Sequence, residues 1–268
     1  MTVGVTFGLL GPVKAWSGGQ ELEIGTPHQR GVLARLLLSE GQQIPAEAIV
    51  DALWGADAPA GALRTTRSYI SRLRTILEGA GSAASGSHVE IRSVGRGYQL
   101  VSAPGTVDVA VFRQALAMAR DARGRGEAGE ASRLLGTALD LWRGPALDAL
   151  GGPYFAAQRT WLEELLATAK EDRWTLDIGR GQCAEAIEDL TQATAAQPYR
   201  ERFWELLISA LHREGRRSDA LSAYRRIERL LDDDLGLEPG AGLRRVRASL
   251  AVIHSTRRLD PQRRLARA

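Results

Sequence analysis

Two stretches in the second half of the chain repeat one pattern 34 residues apart. "GQCAEAIEDLTQATAAQP" begins at Gly181 and "GRRSDALSAYRRIERLL" begins at Gly215, so that "EAI" in the first aligns with "DAL" in the second. Between them, "ERFWELLISALHREG" carries apolar residues at helical core spacing. Such a repeat constrains the fold strongly, because each helix pair can bury its apolar face only against the next pair. The second half of the chain is therefore predicted to be all helical.

Thirty-four residues is the tetratricopeptide period. A less regular earlier copy, "GEAGEASRLLGTALDLW", covers 126–142, and "RGPALDALGGPY" separates it from a helix predicted at 154–180. Stacked helix pairs leave a concave or lateral surface exposed. We therefore expect a tetratricopeptide-like helical domain that offers a surface to a partner.

The N-terminal part of the chain combines short strands with three helices. "VTFGLLGPVKAWSGGQELEIG" alternates apolar and polar residues around turn signals, which predicts a small antiparallel sheet. One helix is predicted to begin at Thr26-Pro27, a second after Pro45, and a third to cover about 60–78. "HVEIRSV" and "YQLV", joined by Gly95-Arg96-Gly97, then predict a β-hairpin. Three helices followed by a hairpin form a winged helix-turn-helix.

The third helix, which contains "RTTRSYISRLRTIL", has two distinct faces. At about 100° per residue, one face is predicted to be buried: Leu63, Thr66, Ile70, Leu73 and Leu77. The opposite face carries arginines and small hydroxyls that suit a DNA major groove: Arg64, Arg67, Ser68, Ser71 and Arg72. Arg74 is expected to grip a backbone phosphate from the flank. A merely solvated face is the alternative, and the glycine-rich wing that follows the helix favours DNA binding over it.

The distribution of charge is more informative than the net charge of +3. Residues 64–96 hold six arginines against two glutamates, and the C-terminal "RRLDPQRRLARA" holds five arginines against one aspartate. Guanidinium groups bind phosphate oxygens and guanine edges through a planar fork. Arg96, at the wing tip, is expected to contact the minor groove or the DNA backbone, and Arg92 is a second candidate on the wing.

No pattern in the sequence supports catalysis or a bound metal or cofactor. "GRGEAG" at 124–129 matches a dinucleotide-binding fingerprint, but it follows a helical run rather than a strand and is predicted to be an interhelix turn. The single cysteine, Cys183, is predicted to be buried, and Asp232 to Asp234 are predicted to end a helix. The six tryptophans are expected in the core: Trp16, Trp54, Trp142, Trp161, Trp174 and Trp204. We therefore expect neither an enzyme, nor a metal site, nor a cofactor.

The order of these motifs resembles a known family. The N-terminal sheet, the three helices with "SRLRTIL" and the wing "VGRGYQL" resemble an OmpR-type winged helix. "VDVAVFRQAL", "ALDLWRGPALDAL" and "DDDLGLEPGAGLRRV" resemble the bacterial transcriptional activation domain. Over residues 3–253 the chain resembles the Streptomyces antibiotic regulatory proteins (SARPs). This resemblance implies an activator that binds direct repeats near the −35 element and recruits RNA polymerase holoenzyme, sigma factor included, to a secondary-metabolite gene cluster.

The loop between the second and third helices is a further candidate site. "WGADAPAGAL" is longer than a minimal helix-turn-helix connection and is expected to be exposed beside the recognition helix. The resemblance to OmpR-type activators points to this loop as the polymerase-facing element, with Trp54 and Asp57 as the contacting residues. A plain solvent-exposed loop is the alternative.

The predicted fold class is mainly α with small β, a winged helix-turn-helix followed by an all-α tetratricopeptide-like domain. The predicted domains are 1–103, which binds DNA, 104–256, the activation domain, and 257–268, a basic flexible tail. Neither a membrane span nor a secretion signal is indicated, so a cytoplasmic, nucleoid-associated protein is expected. We expect a homodimer on double-stranded promoter DNA. A helical-repeat adaptor that binds a protein or peptide is the second hypothesis.

Overall fold

The computed structural model of the protein describes residues 4–82 and 89–256. These residues are mainly helical, with two small three-stranded sheets, so the predicted fold class is confirmed. The chain divides into two compact units at Ala169 and Lys170. The domain boundaries at 103 and 256 stay predictions, and the basic tail predicted at 257–268 lies outside the described residues.

The first sheet and helix form where the local sequence signals place them. Strands β1 (Val5–Gly8), β2 (Lys14–Ser17) and β3 (Gln20–Glu21) make an antiparallel sheet in that order. Helix α1 (Pro27–Leu37) begins with a capping box, in which Thr26 and Gln29 each donate a backbone N–H to the other's side chain. The predicted sheet and the predicted start of the first helix are confirmed.

The remaining elements of the winged helix follow the predicted order. Helices α2 (Ala46–Trp54) and α3 (Ala62–Ser82) precede a hairpin of β5 (Glu90–Val94) and β6 (Gly97–Val101). A short strand, β4 (Ile44–Pro45), pairs with β6 and was not predicted. Gly97 permits this pairing, because a Cβ there would collide with the Ile44 carbonyl. The pairing of β4 with β6 therefore requires glycine at position 97.

The buried face of α3 differs from the prediction at its first position. Thr66, Ile70, Leu73 and Leu77 are each at most 2% exposed, as expected, whereas Leu63 is 39% exposed. The neighbouring Ala62 is buried instead. The steps from Ala62 to Thr66 and from Thr66 to Ile70 are each four residues, so the apolar stripe starts one residue, about 100° of helix rotation, before Leu63. The prediction that Leu63 is buried was wrong.

Helices α4 (Asp108–Gly124) and α5 (Ala128–Leu139) pack against each other in the first unit. The glycine motif at 124–129 spans the turn between them, which connects two helices as predicted. Helix α6 (Pro153–Gly179) follows. Among the described helices, none is both long and apolar enough to cross a membrane.

The segment at 143–150 is part of the packed first unit. The backbone N–H groups of Arg143 and Leu147 donate to the carbonyls of Leu10 and Leu9, at 2.8 and 2.9 Å, beside the end of β1. From the sequence this stretch was expected only to separate two helices. The pairing could not be seen in local patterns, because its partners lie more than a hundred residues earlier in the chain.

Asp108, the first residue of α4, contacts both the residues that follow β1 and the segment at 143–150. Its carboxylate accepts hydrogen bonds from the backbone N–H groups of Leu9 and Leu10 at 2.8–2.9 Å and from the Arg143 guanidinium at 3.0 Å. Arg143 also stacks on Trp16, 4.9 Å from the ring centroid. Burial raises the pKa of the Asp108 carboxyl, while these hydrogen bonds act to lower it.

The second unit is a succession of helices with the predicted repeat. Helices α7 (Cys183–Ala196) and α9 (Arg217–Leu235) begin 34 residues apart, with α8 (Glu201–Arg213) between them and α10 (Ala241–Thr256) last. Each packs against the next, and α10 also packs against α8. Cys183, Trp174 and Trp204 are buried, as expected. In the first unit Trp161 is 40% exposed, so the expectation that it lies in the core was wrong.

Candidate nucleic-acid interface

The exposed face of α3 presents the arginines and hydroxyls that the helical wheel placed together. All five residues of the predicted groove-facing set are exposed: Arg64, Arg67, Ser68, Ser71 and Arg72. The Ser68 hydroxyl donates to the Arg64 carbonyl at 3.3 Å, and Thr75 makes the same bond to Ser71 at 3.2 Å. The Ser68 and Thr75 hydroxyls therefore lie close to the helix backbone, and the arginine side chains of this face are exposed.

The guanidinium groups of this face carry uncompensated charge. Within residues 4–82 and 89–256, no side chain forms an ion pair or hydrogen bond with the guanidinium of Arg64, Arg67 or Arg72. Two arginines elsewhere in the first unit do find acids: Arg125, in the turn after α4, pairs with Glu127 at 2.8 Å, and Arg133 of α5 pairs with Glu130 at 2.6 Å. A local cluster of unpaired cations on one helix face is the electrostatic arrangement that attracts a polyanion.

The wing extends the basic surface through Arg96. Gly95 and Arg96 form the tip of the β5–β6 hairpin, and Gly95 has a φ of +54°, which favours glycine at this turn. The Arg96 side chain is exposed, and its guanidinium has no partner within the part of the chain that the structure describes. Arg92 is also exposed but forms an ion pair with Glu90 at 2.7 Å. The wing tip therefore offers Arg96 for an external contact more readily than Arg92.

Arg74 connects the helix to the wing. Its Nε donates to the Ile91 carbonyl at 2.8 Å, and its Nη2 donates to the Ser93 hydroxyl at 2.9 Å. The half-buried guanidinium also lies 5.9 Å from the Tyr98 ring centroid. The Arg74 side chain thus connects β5 to α3, a role that was not predicted from the sequence.

Trp54 is held in an aromatic stack. It is half-buried at the end of α2, its ring lies 5.2 Å from that of His28, and His28 lies 6.4 Å from Tyr69 on α3. The three side chains connect α1, α2 and α3 beside the exposed loop. Sequence reasoning missed His28 and Tyr69, since no local pattern couples aromatic residues so far apart. Asp57 is exposed and ends a short 3-10 turn, Gly55–Asp57.

No grouping of histidine, cysteine, aspartate and glutamate able to hold a metal ion occurs among the described residues. Asp232 to Asp234 lie in the last turn of α9, where the Tyr199 hydroxyl donates to Asp234 at 3.0 Å. This acidic run ends a helix, as predicted.

Both halves of the chain match models of transcriptional regulators. Residues 19–100 match the model described as "Transcriptional regulatory protein, C terminal", and residues 107–251 match the "Bacterial transcriptional activator domain". With the winged helix and its basic face, these matches define a transcriptional regulator rather than an enzyme. The chain belongs to the Streptomyces antibiotic regulatory protein family, of OmpR-type winged helix plus activator domain.

Individual relatives cover nearly the whole chain. The regulatory protein AfsR of Streptomyces coelicolor is 42% identical over 88% of this chain, and the regulatory protein DnrI of Streptomyces peucetius is 34% identical over 94% of it. A solved structure of Mycobacterium tuberculosis EmbR, in complex with a low-affinity phosphopeptide, superposes with a TM-score of 0.86 at 35% identity, covering 93% of this chain.

The relatives differ greatly in length. This chain spans 23% of AfsR and 65% of the EmbR chain, but 92% of DnrI. The shared part is therefore the winged helix with the activator domain.

Proposed function

We propose that this protein is a sequence-specific DNA-binding activator that reads double-stranded promoter DNA with α3. The observation that carries the proposal is the exposed, unpaired set of Arg64, Arg67 and Arg72 on one face of that helix. Arginine can bond guanine O6 and N7 with both of its terminal nitrogens, and it binds phosphate equally well. Small serines between the arginines allow the helix to approach the floor of the major groove.

The wing supplies a second contact in this proposal. Arg96 reaches the minor groove or the DNA backbone, and Arg92 adds a weaker contact once Glu90 releases it. Arg74 holds β5 against α3, so that the helix and the wing can contact DNA at the same time. It can contact phosphate only through the guanidinium N–H groups that are not bonded to Ile91 and Ser93.

We further infer that the protein binds direct repeats near the −35 element, as a homodimer on DNA. It then recruits RNA polymerase holoenzyme, including the sigma factor, to a secondary-metabolite gene cluster, from a cytoplasmic, nucleoid-associated location. Membership of the SARP family supports this reading. A footprint of the purified protein on its own upstream DNA tests it: two protected segments in the same orientation support direct repeats, and a single or inverted segment contradicts them.

The loop at 55–61 is the proposed polymerase contact. Asp57 is exposed there, whereas Trp54 is stacked on His28. Substitution of Asp57 therefore tests the contact without disturbing the aromatic stack. Asp57→Ala is expected to lower transcription in vitro while promoter affinity stays the same, because an exposed acid in the loop bonds nothing that holds α3. Glu47→Ala, which removes an exposed acid from α2, is the matched control and should leave both unchanged. Parallel loss of binding and transcription in Asp57→Ala would show that the loop serves only the fold.

A further inference from the structure

The first compact unit contains a cleft of about 330 Å³ that the proposed function does not use. Its floor is apolar and comes from Leu9 beside β1, Leu37 at the end of α1, and Val107 and Val109 at the start of α4. This volume lies at the lower end of the range found for small-molecule sites. The cleft therefore has room for a small ligand with an apolar body.

The rim of the cleft carries Trp161, which is 40% exposed. An indole has a large apolar surface, so leaving part of it in water forfeits stabilisation that an apolar ligand can supply. By contrast, Trp174 and Trp204 are only 4% and 2% exposed. An exposed indole at the mouth of an apolar cleft is the arrangement expected where a ligand completes the packing.

Glu40 brings a carboxylate to the same rim in a strained backbone conformation. Its φ is +51°, a region that favours glycine, and it lies just after the C-terminus of α1. Glycine follows immediately at position 41, so the turn has a flexible residue next to the strained one. The strain is tolerated at a residue whose side chain supplies the acid of the cleft.

In this structure the protein's own Arg113 fills the place of a cation. Its guanidinium forms an ion pair with Glu40 and lies 5.8 Å from the centroid of the Trp161 ring. Arg113 reaches the rim from α4, and its side chain remains 45% exposed. A carboxylate and an indole face are thus already arranged around a positive group that can move out into solvent.

We propose that this cleft binds an amphiphilic amine, with the ammonium between Glu40 and Trp161 and the apolar body over Leu9, Leu37, Val107 and Val109. The ligand's ammonium displaces the Arg113 guanidinium and takes over its ion pair and its contact with the indole. A ligand carboxylate could not take that place, because Glu40 would repel it once the Arg113 guanidinium had moved away. Since α1 and α4 both line the cleft, such a ligand contacts the winged helix and the activator domain together.

Calorimetric titration of the full chain with phenylbutylamine and with its neutral isostere phenylbutanol tests the proposal. The amine should bind at least about tenfold more tightly than the alcohol, because only the amine can use Glu40 and the indole face. Glu40→Gln, which keeps the shape of the side chain, should reduce this difference markedly, because only the contact with the Trp161 ring then favours the ammonium. Glu130→Gln, which removes an exposed, ion-paired acid from α5, is the control and should preserve it.

Removal of the internal cation should have the opposite effect from removal of the acid. Arg113→Met keeps the apolar stem and should tighten amine binding, because nothing then has to be displaced. If both variants fold poorly, NMR of the unchanged protein tests the proposal instead. The Trp161 indole resonance, assigned with Trp161→Phe, should shift when the amine is added. Equal binding of amine and alcohol, weaker amine binding in Arg113→Met, or no shift at Trp161 would each overturn the proposal.

Discussion

At the scale of single residues, the arginines of α3 fall into two groups with different surroundings. Arg64, Arg67 and Arg72 are exposed without a partner among the described residues, whereas Arg74 is hydrogen-bonded to the wing. The helical wheel separates an outer from an inner face, but it cannot tell that Arg74 meets a strand that follows it in the chain. That distinction required the tertiary structure.

Arg72→Ala is expected to relax base preference if Arg72 reads a base edge. Loss of a bidentate contact costs about 1–3 kcal/mol of discrimination at one base pair. Binding to a promoter fragment and to single-base variants of it, followed by fluorescence anisotropy, measures the effect. Arg120→Ala, at an exposed arginine of α4, is the control. Uniform weakening on every sequence would assign Arg72 to a phosphate instead.

Arg74→Lys is expected to destabilise the protein, although it preserves the charge. Lysine cannot make the two separate bonds to Ile91 and Ser93, and their loss costs about 1 kcal/mol at this half-buried position. Thermal unfolding should show a Tm lower by about 2–4 °C. Arg72→Lys should leave Tm unchanged, because that guanidinium bonds nothing in the described structure. Equal Tm values for both variants would mean that Arg74 does not fasten the wing.

At the scale of secondary-structure elements, the sequence predicted the helices, turns and hairpin that depend on residues close together in the chain. The helix start at Thr26-Pro27, the glycines around Arg96 and the 34-residue offset each correspond to an observed element. Strand β4 and the segment at 143–150 were missed, because each is defined only by a distant partner. The surface of the candidate site was predictable in the same sense, because helix periodicity places Arg64, Arg67 and Arg72 on the exposed face. The stack of His28, Trp54 and Tyr69 was not predictable, because it brings together three helices.

Asp108 is expected to hold the start of α4 against the end of β1. Asp108→Asn replaces one carboxylate oxygen with an N–H donor and breaks the ion pair with Arg143, so the N–H groups of Leu9 and Leu10 lose acceptors. The expected cost is about 2–4 kcal/mol, measured by urea unfolding. Asp121→Asn, at an exposed position of α4, should change stability by less than about 0.5 kcal/mol. A similar small change in both variants would show that the Asp108 contacts contribute little to stability.

At the scale of the whole molecule, a SARP-family regulator must join DNA recognition to an activator domain. The first compact unit, up to Ala169, already contains the winged helix together with α4 and α5 of the activator match. Contacts from Asp108 and Arg143 to Leu9 and Leu10, just after β1, hold these parts together. We infer that α4 and α5 move with α3, the proposed DNA-binding helix, as a single unit.

The salt dependence of promoter binding tests the central claim, that unpaired arginines on α3 and the wing bind DNA, most directly. The logarithm of the association constant should fall linearly with the logarithm of salt concentration, by about 0.9 for each phosphate contact. Arg67→Ala and Arg96→Ala should each lower this slope by about 0.9 where the residue contacts phosphate, while Arg120→Ala should leave it unchanged. Binding that is insensitive to salt, as a helical-repeat adaptor would show, or a slope that neither Arg67→Ala nor Arg96→Ala alters, would contradict the account.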